Sequence, residues 1–127
     1  MLVDLQRIGS EVSRASQTFA FVEVHPTGDG GVYVKAALQT SVARTYIVAI
    51  YLAGYPNRMP QVHVTQPALH SLAPHRYREG NLCYLHPSMW NPGLHNVEFV
   101  LSRTAKWLNK YEVWRATGRW PGAEQKH

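Results

Sequence analysis

Residues 45–65 read TYIVAIYLAGYPNRMPQVHVT, and this stretch decides the fold. Thr45 to Leu52 is rich in aromatic and β-branched residues and apolar on both faces, which predicts a central strand. Gly54-Tyr55-Pro56 breaks it. Pro60 then precedes Gln61 to Thr65, a short strand with Val62 and Val64 on one face. Upstream, Val32 to Gln39 alternates as another strand, and Phe19 to His25 reads as the first. Thr27-Gly28-Asp29-Gly30-Gly31 joins those two, its glycines tolerating positive φ.

Helical periodicity flanks the four strands. Leu2, Leu5, Ile8, Val12 and Ala15 recur every three to four residues and predict one apolar helix face over residues 2–16. At the other end Asn96 is a good N-cap, and Glu98 in the first turn suits the helix dipole. Val97, Val100, Leu101, Thr104, Leu108 and Tyr111 then share a face, with Gly118 as the stop and Pro121 shortly after. The order is helix, four-stranded antiparallel meander, long loop, helix. That is an α+β fold, with helices packed on one sheet. At 127 residues the chain is expected to form one domain over 1–127.

Composition removes several function classes. A chain 45% hydrophobic and 17% charged is not a disordered one. No apolar run approaches the ~18 residues of a membrane span. The opening MLVDLQRIGSEV does not read as a signal peptide, and a single cysteine forms no internal disulfide, so the expected location is cytoplasmic. The net charge of +5 invites a nucleic-acid reading, but its excess sits in residues 103–127, with six basic and two acidic side chains. A solvated helix face, or a patch for an acidic protein partner, explains it without nucleic acid.

Residues 66–95 carry the reactive side chains. About thirty residues without periodicity are too many for a passive connector, and their interspersed Leu, Tyr and Trp predict an ordered, packed loop that carries the activity. It holds His70, His75, Tyr77, Cys83, Tyr84 and His86. Three uses compete for Cys83. It is a small buried hydrophobe, or a metal ligand, or a nucleophile. Cys83 and His86 have C-x-x-H spacing that His70 and His75 could complete, yet structural zinc sites usually hold two or more cysteines, so no metal or cofactor is expected. A nucleophilic thiol must be partly exposed and helped by cations or donors, for which Arg76, Arg78 and the histidines are candidates. Trp90 reads as a core anchor.

The arrangement resembles the ubiquitin-conjugating enzyme family over nearly the whole chain. Tyr55-Pro56-Asn57-Arg58-Met59-Pro60-Gln61-Val62 is similar to that family's Y-P-x-x-P-P-x-V segment, Gly80-Asn81-Leu82-Cys83 to its G-x-[IL]-C active-site signature, and Trp90-Asn91-Pro92 to its W-S-P. The resemblance implies the ubiquitin-conjugating-enzyme-like fold and a thioester carried on Cys83. The eukaryotic His-Pro-Asn triplet has no counterpart. His75-Arg76-Tyr77, eight residues before Cys83, lacks the asparagine. Another donor is needed for a developing oxyanion, and His75, Tyr77, Asn81 and His86 stand as candidates. His86 is also a candidate acid or base, since imidazole titrates near neutrality.

The tail, Gly118-Arg119-Trp120-Pro121-Gly122-Ala123-Glu124-Gln125-Lys126-His127, looks like that of bacterial relatives found in CBASS anti-phage operons. The resemblance implies a cysteine-dependent acyltransferase acting on the C-terminal glycine of a cGAS/DncV-like nucleotidyltransferase, or on a ubiquitin-like protein. The missing asparagine leaves an alternative, a non-catalytic partner-binding module of the same fold.

Overall fold

The computed structural model describes residues 4–122. Leu2, and tail residues 123–127, lie outside the described residues. The first helix, α1 (Leu5–Ala15), is capped by Asp4, whose Oδ1 accepts from the Arg7 N–H at 3.0 Å. Ile8, Val12 and Ala15 are buried as the periodicity requires. Leu5, expected on the same face, is 61% exposed, because α1 enters the core only from its second turn.

Four strands follow: β1 (Phe21–Pro26), β2 (Val32–Gln39), β3 (Thr45–Tyr51) and β4 (Gln61–Gln66). They pair antiparallel in the order β1-β2-β3-β4, which puts β3 between two neighbours and explains its apolar character on both faces. The first strand starts two residues later than the sequence suggests, after a turn in which Thr18 and Phe19 donate to Ala15 O. Register aligns Val34 with Ile50 and Ile50 with Val62, so one face of the sheet feeds the core. The opposite face carries a row of rings across all four strands. His25, Tyr33, Tyr51 and His63 follow one another at centroid separations of 5.4, 5.5 and 5.6 Å.

The last helix, α2 (Val97–Thr117), is capped by Asn96, whose Oδ1 accepts from Phe99 N–H at 2.8 Å. It stops at Gly118, in the left-handed region at φ 78°. All six residues expected on its apolar face are buried, and Trp107 joins them. Glu11 ties the two helices together. Its Oε1 accepts from Val97 N–H at 2.9 Å and from the Tyr55 hydroxyl, and its Oε2 from Arg7 Nε at 2.6 Å. Tyr55, from the Tyr-Pro segment, thereby anchors the end of the meander to the start of α2. No helix among the described residues is long and apolar enough to cross a membrane.

Candidate active site

The connection from β4 to α2 is ordered because it is stitched on both sides. On the sheet side, Leu82 N–H donates to Val62 O at 2.9 Å, the Tyr84 hydroxyl to Pro60 O at 2.7 Å, and Trp90 Nε1 to Pro56 O at 2.8 Å. These bonds join the three short motifs of the sequence to one another. On the helix side, His70 N–H donates to the Tyr111 hydroxyl at 2.7 Å, Trp107 Nε1 to His75 O at 3.1 Å, and Arg103 Nε to Tyr84 O at 3.0 Å. Between these anchors the chain doubles back. Tyr77 N–H donates to Asn81 O and Cys83 N–H to His75 O, both at 2.9 Å, around a turn that needs Gly80 at φ 94°.

That doubling-back brings the Tyr77 hydroxyl close to the Cys83 thiol. Cys83 is only 6% exposed, less than the partly exposed thiol expected from sequence. It lines a half-open cleft. Burial pushes the thiol pKa up, and the Tyr77 hydroxyl, donating to the sulfur, works against that rise. Burial and the nearby sulfur charge raise the Tyr77 pKa in turn, so it stays a hydrogen-bond donor.

The cations expected to assist the thiol, Arg76 and Arg78, are not among the residues that line the cleft. Arg76 donates to His70 O and Ser71 O at 3.1 and 3.2 Å, and Arg78 is exposed to solvent. Three others line the cleft, all from α2: Arg103, Lys106 and Lys110. From sequence the basic helix face fits either solvent or a protein partner. The signal that it lines the site was the spacing of these three residues, combined with the Trp107 side chain between them.

His75 adopts φ 58°, unusual for a residue with a Cβ. Its carbonyl takes both the Cys83 N–H and Trp107 Nε1, and its ring packs on Trp120 at 4.8 Å. His86 caps the 3-10 turn Pro87–Met89, its Nδ1 accepting from Ser88 N–H at 3.2 Å. Asn81 is buried, and its Oδ1 lacks a hydrogen-bond partner among the described residues. It faces a second groove, beside Arg58, Met59 and Trp90, which Tyr77 also lines. His70 accepts from Leu72 N–H through Nδ1 and packs edge-on against Trp114. Among the described residues no three His, Cys, Asp or Glu side chains converge as metal ligands would.

Comparisons with known proteins bear on this geometry. A family model described as Type II CBASS E2 protein matches residues 11–127. A solved structure, a complex of the Vps23 UEV with ubiquitin, is similar with a TM-score of 0.58 at 14% identity, covering 83% of this chain and 82% of that one. At that identity the likeness concerns the fold alone, and it agrees with the helix, meander, loop and helix described above. No curated protein matches the chain.

Proposed function

The chain belongs to the Type II CBASS E2 family, and from that premise we propose that Cys83 takes an acyl group from a partner's C-terminus as a thioester and passes it to an amine, in the cytoplasm, as part of anti-phage defence. The donor is the C-terminal glycine of a cGAS/DncV-like nucleotidyltransferase, or of a ubiquitin-like protein, delivered in activated form. One observation carries this reading: the Cys83 thiol lines a half-open cleft and has the Tyr77 side chain beside it.

The Cys83 thiolate attacks the activated carbonyl, a C–S bond forms, and the leaving group departs from the tetrahedral centre. An amine then attacks the thioester, the C–S bond breaks as the amide forms, the nitrogen's proton passes to solvent, and the sulfur leaves as the thiolate beside the Tyr77 hydroxyl. Tyr77 is the donor that stands in for the missing asparagine. It releases the sulfur as the sulfur becomes bonded, and turns to the oxygen that gains charge. His75 acts as a positioning residue through its carbonyl, which fixes the Cys83 backbone against Trp107. His86 positions the turn that follows the cysteine.

Mixing the protein with the activated donor tests this. A conjugate that forms with the native protein and is absent in Cys83→Ala supports it. The low exposure of Cys83 favours a second reading, a module that binds without chemistry. That reading requires a native thiol inert to alkylation and a Cys83→Ala variant that binds the partner undiminished with no conjugate formed by either protein.

A further inference from the structure

Arg103, Lys106 and Lys110 follow one another at spacings of three and four along α2, and so share one face of the helix. This face is a wall of the cleft that Cys83 lines, and among the described residues no carboxylate lines that cleft. The carboxylates of α2 are elsewhere. Glu98 lies in the first turn, and Glu112 bonds the Tyr46 hydroxyl and lies 3.7 Å from Arg44. Among the described residues none of the three cations has an ion-pair partner. Arg103 donates from Nε to the Tyr84 carbonyl, and the Lys110 ammonium lies near Gly122. Partial burial, then the charges of Lys106 and Arg103, pull the Lys110 ammonium below its usual range. Among the described residues the wall is therefore a cluster of like charges with no counter-charge, beside the one cysteine of the chain.

We propose that this wall recognises an acidic segment, rich in Asp or Glu, lying just upstream of the carboxyl group that is delivered to Cys83. The inference rests on the reading of Cys83 as an acyl acceptor and names the donor's chemistry. From Arg103 to Lys110 the helix rises by about 10 Å, at ~1.5 Å per residue. An extended peptide covers that distance in about three residues. The acidic side chains thus belong within a few positions of the donor's end. A single-stranded nucleic acid would also bring negative charge, but its bases need an open ring to stack on. Trp107 is buried, and Trp120 is already packed against Trp107 and His75 at 5.2 and 4.8 Å. The cleft offers charges for carboxylates and no free platform for bases.

The probes are fluorescein-labelled octapeptides ending in glycine, one with three Glu upstream of it and one with three Gln, titrated against the native protein at low and moderate salt. The Glu peptide is expected to bind at least tenfold tighter, with the difference shrinking as salt rises. Lys106→Glu/Lys110→Glu should reverse the preference towards a Lys-containing peptide, and Lys106→Gln/Lys110→Gln should erase most of it without reversing charge. Equal binding of the Glu and Gln peptides overturns the proposal. So does a single-stranded oligonucleotide that displaces the Glu peptide at equal or lower concentration. The same peptides made as thioesters of a small thiol separate this inference from the one beneath it. In that exchange the Cys83 sulfur displaces the small thiol, one C–S bond replacing another. Selective acylation by the Glu thioester supports both. Equal acylation by both thioesters overturns the acidic preference and leaves the thioester reading intact. Selective binding of the Glu peptide with no acylation of Cys83 overturns the thioester reading and leaves the cationic wall standing as a binding site.

Discussion

Cys83 and Tyr77 stand six positions apart, and the contact between them exists only because the chain turns at Gly80. The thiol pKa is raised by burial, so the reactive thiolate accumulates only as pH climbs into the alkaline range. Alkylation of native Cys83 is expected to be slow near neutrality and to accelerate with pH past the point at which a free cysteine levels off. Tyr77→Phe removes a donor to the charged sulfur, an effect of ~1.5 kcal/mol, and should slow alkylation at pH 8 by about tenfold. Stopped-flow thiol labelling across pH checks both, and a Tyr77→Phe profile identical to that of the native protein would remove Tyr77 from the site. The G-x-L-C signature singles out the cysteine as a candidate from sequence. The choice among His75, Tyr77, Asn81 and His86 was not legible, because it depends on the positive φ of His75 and the turn at Gly80, which fix where each side chain points.

At the scale of elements, the loop is the part whose order needed the structure to explain. Its sequence has no period, and its rigidity comes from single bonds to distant partners, such as the Tyr84 hydroxyl on Pro60 O and Trp90 Nε1 on Pro56 O. Tyr84→Phe leaves the Pro60 carbonyl unpaired beside a buried ring. Chemical denaturation should register a loss of ~1–3 kcal/mol. Trp107→Phe frees the His75 carbonyl from its side-chain donor, and amide exchange in residues 75–83 should quicken more than that of the strands. The strands and helices themselves were legible, because alternation and the 3.6 period are local signals. Their ends were less so. Leu5 continues the apolar spacing of α1 yet faces solvent, since periodicity says which face a residue lies on but not whether anything covers it. For the same reason, sequence leaves the basic face of α2 as either a solvated face or a partner patch, and only the fold places the loop against it.

For the molecule as a whole, the helices and one face of the sheet enclose a continuous core from Ile8 to Tyr111, and the loop lies against α2 at its edge. Leu108 is fully buried in that core, and Leu108→Ala should cost ~2–5 kcal/mol in thermal or chemical unfolding. A loss below ~1 kcal/mol would mean that α2 is not packed as described. The excess positive charge, which suggested nucleic acid from composition alone, is partly concentrated at the cleft over Cys83. The most direct test of the account is the intact mass of the protein after exposure to its activated donor. The prediction is a gain equal to the acyl group on native protein, released by neutral hydroxylamine and absent in Cys83→Ala, with a counterpart on Cys83→Ser that resists neutral hydroxylamine. No mass gain on the native protein, or the same gain on Cys83→Ala, would contradict it.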